Sequence, residues 1–107
     1  MNLTLDNLKI DQVDAIDSNI VNLFCLFDSG KGYYEGGMSV DVVVSSEDGY
    51  IIVDELKVNF VEDEDENEIE FACDIKELEK KIEGFLGDVM NSSMNNENER
   101  QLIAALS

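Results

Sequence analysis

Carboxylates are the side chains through which this chain could do chemistry. Glu62, Asp63, Glu64, Asp65, Glu66 and Glu68 follow one another with only Asn67 between, and Glu70 comes two residues later. A catalytic carboxylate pair needs a pocket that holds two pKa values apart. A run of like charge does not pack and belongs in solvent. The chemistry open to it is therefore electrostatic recognition. In an extended chain, alternate residues lie about 6.6–6.8 Å apart on one face. Glu62, Glu64, Glu66, Glu68 and Glu70 share a parity, so they are expected to form an outward ladder of negative charge. Such a ladder imitates a nucleic-acid strand, which carries one charge per about 3.4 Å. Asp41, Glu47, Asp48, Asp54 and Glu55 are placed to extend it over neighbouring strands. The plainer reading is that the run keeps the protein soluble and blunts a sheet edge.

Other chemistries find little support. The chain has no histidine, which removes histidine catalysis and histidine metal ligation. Cys25 and Cys73 have no basic neighbour in sequence to lower their pKa. Two cysteines make neither a disulfide framework nor a zinc site, and both read as buried free thiols in apolar strands. Gly30-Lys31-Gly32 lacks the spacing of a phosphate loop. Asp63, Asp65 and Asn67 match the first ligands of a calcium loop, but Glu68 stands where a glycine is needed and Asp74 where a bidentate glutamate is usual. No enzyme activity, cofactor or metal site is expected.

The elements that carry these residues centre on Met38–Cys73. Asp48-Gly49 between two β-rich runs signals a type I′ hairpin. After the turn, Ile51 and Val53 share one parity, and Leu56, Val58 and Phe60 share the other. A β-bulge at Asp54-Glu55 restores the face and pairs Val44 with Val53, Val42 with Leu56, Val40 with Val58 and Met38 with Phe60. A third strand is expected over Glu68–Cys73, with Ile69, Phe71 and Cys73 pointing inward. Ile20–Phe27 is apolar at both parities and reads as a strand buried on both faces. Met1–Ser18 fits neither period; a short extended segment near Thr4–Ile10 and a helical turn near Asp11–Asp17 both suit it. Asp74 with Glu77 has capping-box spacing. It precedes a stripe of Ile75, Leu78, Ile82, Phe85, Leu86 and Val89 at helical spacing. Gly84 and Gly87 within that helix suggest close approach to the sheet. Asn91–Glu99 reads as a polar loop, and Gln101–Leu106 as a short terminal helix.

The expected fold class is thus α+β, in one domain over residues 1–107. An antiparallel sheet of about four strands carries the amphipathic helix on one face. Val43, Tyr50, Ile52 and half of Ile20–Phe27 leave apolar side chains on the other. A homodimer or the N-terminal segment is expected to cover them.

The chain carries 25 Asp and Glu against 7 Lys and Arg, a net charge of −18. That disfavours direct binding to nucleic acid or anionic membranes and favours a basic protein partner. The start of the chain lacks a signal-peptide pattern, and no apolar run reaches spanning length, so a cytoplasmic location is expected. The leading expectation is a non-enzymatic inhibitor that occupies the nucleic-acid-binding surface of a basic protein or nuclease. Phage anti-restriction and anti-CRISPR proteins, often DNA mimics, are similar in this small acidic character. So are immunity proteins that neutralise nuclease toxins. The likeness is one of type, with no motif matched residue by residue. A small acidic chaperone or assembly adaptor is the alternative.

Overall fold

The Asp48-Gly49 turn forms as its sequence dictates. Asp48 has φ 53° and Gly49 φ 82°, and the turn joins β3 (Tyr34–Glu47) to β4 (Tyr50–Asp63) with Glu47 opposite Tyr50. The structure is a computed structural model, and it describes residues 5–91 and 96–106. The chain runs β1 (Leu8–Asp17), β2 (Ile20–Asp28), β3, β4, β5 (Glu68–Ile69), α1 (Ile75–Asn91) and α2 (Asn96–Leu106), after one 3-10 turn at Leu5–Asn7. Every strand pairs antiparallel with the next, which gives a five-stranded curled meander, β1-β2-β3-β4-β5. The class is α+β, with one strand more than expected.

The extra strand is β1. Its register slips twice against β2, between Ile10 and Gln12 and between Ala15 and Asp17. Two bulges reset its parity, so Leu8, Ile10, Val13 and Ala15 all lie opposite core-facing residues of β2. A strand that changes face twice has no readable period. Among the described residues, the N-terminal segment thus joins the sheet as an edge strand and does not cover its second face. Residues 1–4 lie outside the described residues.

β4 also carries two bulges. The one at Asp54 is where the phase slip places it, and Val44–Val53, Val42–Leu56 and Val40–Val58 pair as expected. The second, at Asn59, puts Met38 opposite Val61 and Phe60 opposite Ser39. Phe60 therefore leaves the core face and is 37% exposed. The third strand is shorter than expected. Pairing ends at Ile69, and residues 70–74 run on irregularly. Ile69, Phe71 and Cys73 still pack against the core, and the Phe71 ring meets Phe27 edge-on at 5.3 Å.

The core lies between one face of the sheet and both helices. Val21, Leu23, Cys25 and Phe27 of β2 and Met38, Val40, Val42 and Val44 of β3 alternate into it. Leu78, Ile82 and Leu86 of α1 and Leu102 and Ala105 of α2 close it. Asp74 caps α1: its Oδ1 accepts the Lys76 N–H at 2.8 Å, satisfying a donor the helix start leaves open. The stripe is narrower than its spacing suggests. Phe85 is half-buried and Ile75 is 46% exposed. Gly84 and Gly87 do not approach the sheet, since a Cβ at either would meet nothing within 4 Å.

α2 begins within the stretch that reads as a loop. Asn98 Oδ1 accepts the Val13 N–H and Gln101 Oε1 the Ala15 N–H, each at 3.0 Å. The helix thereby covers the open edge of β1. Residues 92–95 lie outside the described residues. Among the described residues no helix is long and apolar enough to cross a membrane.

Candidate functional site

The acidic run forms the tip of the β4–β5 hairpin. Asp63 closes it: its Oδ1 accepts the N–H groups of Asp65 and Asn67, each at 2.9 Å, and its carbonyl accepts the Glu66 N–H at 3.0 Å. Side-chain to backbone bonds of this kind make aspartate a turn former, and Glu66 takes the left-handed conformation, φ 65°. The straight ladder of five glutamates therefore does not form. Glu62 and Glu68 sit directly opposite each other across the strand pair, Glu64 and Glu66 lie in the turn, and Glu70 lies beyond the strand. Charge is concentrated at a tip instead of spaced along a line. Opposed like charges weaken a strand pair, which accords with a β5 of two residues.

The other candidates are spread along the sheet. Glu47 and Asp48 form the opposite tip, Asp54 is the bulged residue of β4 and Glu55 follows it, all four exposed. From Gly36, opposite Asp63, to Glu47 is roughly 36 Å at about 3.3 Å per residue. The molecule's longest extent is 39 Å. The candidate carboxylates thus form two charged ends with Asp41, Asp54 and Glu55 along the strands between them, not one site.

The sheet face away from the helices was legible only as apolar residues at the wrong parity. Strand pairing places Ile20 beside Val43, Phe24 beside Ser39 and Ser39 beside Phe60. β2 is therefore fully buried on one face and half-buried on the other, instead of buried on both. The middle of this face is polar and ordered. Asn22 Nδ2 donates to Asp41 Oδ1 at 2.8 Å and to Ser39 Oγ at 3.1 Å, and Asn59 Nδ2 reaches Ser39 Oγ at 3.4 Å. Toward the acidic tip it becomes a groove of about 230 Å³. Gly36 and Gly37 form its floor. A Cβ on Gly37 would lie 2.8 Å from the tip of the Phe24 ring, and one on Gly36 would lie 2.3 Å from the Glu62 carbonyl. Phe24, Leu26 and Tyr34 give it apolar walls, and Glu62, Glu64 and Glu66 give it a charged rim. Beyond Asp63 and Glu64 lies a second hollow of about 310 Å³, lined also by the half-buried Glu35, whose Oε2 has no hydrogen-bond partner among the described residues. Glu35 and the groove walls were missed in the sequence. The signals available were the Gly36-Gly37 pair inside a strand and the apolar residues at both parities of β2.

The Asp63 carboxylate, first of the calcium-loop matches, already accepts two backbone N–H groups. Among the described residues no group of three or more His, Cys, Asp or Glu is placed to hold a metal ion. Cys25 is buried in β2, and burial pushes its thiol up to about 12, with Asp11 adding to the shift. Cys73 is half-buried and lies past β5, not in a strand; burial also raises its thiol, with Asp74 and Glu77 contributing. Both thiols are poor nucleophiles. Lys9 reaches across to Asp28 at 2.7 Å. That hydrogen bond, helped by the Gly30 N–H, holds the Asp28 carboxyl below the usual carboxylate range. Comparison with known proteins gives no assignment: no protein-family model matches this chain, and neither a curated protein nor a solved structure does.

Proposed function

We propose that the protein is a non-enzymatic acidic inhibitor that occupies the nucleic-acid-binding surface of a basic partner, in the manner of a DNA mimic. The observation that carries this reading is the β4–β5 tip. Glu64, Asp65, Glu66 and Glu68 are exposed there on a turn that Asp63 holds closed, in a chain of net charge −18. Fixed carboxylates raise the encounter rate with a cationic surface and discriminate against acidic ones. The second acidic tip, at the far end of the β3–β4 pair, would let one molecule span an extended basic channel. We place this action in the cytoplasm, as phage counter-defence of the anti-CRISPR or anti-restriction kind, or as immunity against a nuclease toxin. Gene neighbourhood separates these, since a nuclease toxin beside the gene marks immunity and phage early genes mark counter-defence. The uncovered apolar face around Phe24, Leu26 and Phe60 favours a second reading, an assembly adaptor or chaperone, and it also leaves a homodimer open.

The test is capture of partners from lysate at low and high salt, followed by competition with duplex DNA. The inhibitor reading expects a nucleic-acid-binding protein or nuclease that salt releases and DNA displaces. Partners that resist salt and ignore DNA would favour the adaptor.

A further inference from the structure

We propose that the groove beside the β4–β5 tip receives an arginine side chain from a basic segment of the partner protein. This rests on the inhibitor reading and names the point of contact. At Gly36 and Gly37 the absence of side chains lets the Phe24 ring and the Glu62 strand pack close, and these glycines line the groove between the apolar walls and the acidic rim. Phe24, Leu26 and Tyr34 offer apolar surface for its methylene stem, and arginine buries such a stem while keeping its head polar. Glu62, Glu64 and Glu66 stand at the rim, and none of their carboxylates has a hydrogen-bond or ion-pair partner among the described residues. A guanidinium fits here better than an ammonium. It is planar, more weakly hydrated, able to stack on an aromatic ring and able to pair with a carboxylate through two N–H groups at once. The adjoining hollow adds one more acidic side chain. Glu35, half-buried there, has an Oε2 with no hydrogen-bond partner among the described residues. A second cation of the same segment, passing over Asp63 and Glu64, would meet it. Lys9, which lies opposite Leu26 on β1, is already held by Asp28.

Charge selects the occupant. A second copy seated on this face would bring its own excess of carboxylates, from a chain with 25 acidic and 7 basic residues, against Glu62 and Glu68. A basic segment removes that repulsion.

The test uses the full chain, isotope-labelled, titrated with short peptides of alternating glycine and arginine and with their lysine counterparts. The expected result is amide shifts concentrated at Phe24, Leu26, Gly36, Gly37 and Glu62, with the arginine peptide binding about tenfold more tightly than the lysine peptide. Leu26→Ser and Glu62→Gln should each weaken the arginine peptide by about tenfold, one lost contact of anchor quality. Circular dichroism melts on both variants check that folding is intact, and Glu35→Gln gives a third, independent reading of the adjoining hollow. Equal affinity for both peptides, with shifts shared between this tip and Glu47–Asp48, would overturn the groove and leave the acidic-surface reading standing. No salt-dependent binding of either peptide would overturn both. A dimer whose interface protects Phe24 and Leu26 would overturn the groove in favour of self-association.

Discussion

Phe85 belongs to the apolar stripe of α1 by spacing, and truncating it looks like the loss of a core aromatic. It is half-buried, with the Lys81 ammonium 5.4 Å from its ring centroid. Ile82, beside it, is fully buried. Ile82→Ala should therefore cost about 2–5 kcal/mol, and Phe85→Ala should cost less, which paired denaturant melts will measure. Gly84 is exposed on α1 with open space around it, so Gly84→Ala should raise stability by about 0.5–1 kcal/mol through helix propensity. An unchanged or lower melting temperature would show that the site is not free. The Lys9–Asp28 pair sets a pH window. Asp28 is depressed, so its contribution is present above about pH 4, its unfolded value, and is lost as pH falls through the lower folded value. Lys9 is raised, chiefly by its hydrogen bond to Asp28, so its contribution holds below about pH 10 and is lost as pH rises through the folded value. The stability difference between the wild type and Asp28→Asn should accordingly be flat across neutral pH and vanish in strong acid.

At the scale of elements, the legible parts were those with one uninterrupted period. The β3–β4 hairpin could be registered from its turn and one phase slip because Asp48-Gly49 fixes the start and valines mark one face. The register was right as far as Val40–Val58 and then failed, because the bulge at Asn59 leaves no change in apolar pattern: Phe60 and Val61 are both apolar, and either could face inward. β1 was hidden by its two bulges. The end of α2, Gln101–Leu106, is legible as a short helix, but its start reads as loop because Asn98 and Gln101 are turned toward the backbone of β1 and extend no apolar stripe. The acidic candidates were visible as composition, but the Asp63 turn, which folds the ladder into a tip, depends on hydrogen bonds that parity does not encode. Nor did parity reveal the groove, which needs Gly37 to lie between Leu26 and Glu62 on three adjacent strands. The edge cover can be tested directly. Asn98→Ala leaves the Val13 N–H without its acceptor, at about 1–3 kcal/mol, and hydrogen exchange at Val13 and Ala15 should accelerate together if α2 protects that edge as a unit.

For the whole molecule, net charge and the uncovered sheet face pull in opposite directions. Apolar side chains at Ile20, Val43 and Ile52 favour covering that face, while a charge of −18 opposes a second copy and loosens the fold. Added salt should therefore raise the melting temperature, and light scattering across a salt series should show whether self-association appears once repulsion is screened over about 8–10 Å. The same screening gives access to the central claim, that the β4–β5 tip steers a cationic partner. A single Glu64→Gln change should alter little, because the field is shared among many carboxylates. Changing Glu62, Glu64, Glu66, Glu68 and Glu70 together to glutamine should leave the fold intact, since these positions lie outside the core. The decisive measurement is the association rate of the captured partner with the wild type and with this five-fold variant, across a salt series. The account predicts a fast, steeply salt-dependent rate for the wild type and a slow, nearly salt-independent one for the variant. A folded variant that associates at the wild-type rate with the same salt slope would contradict it.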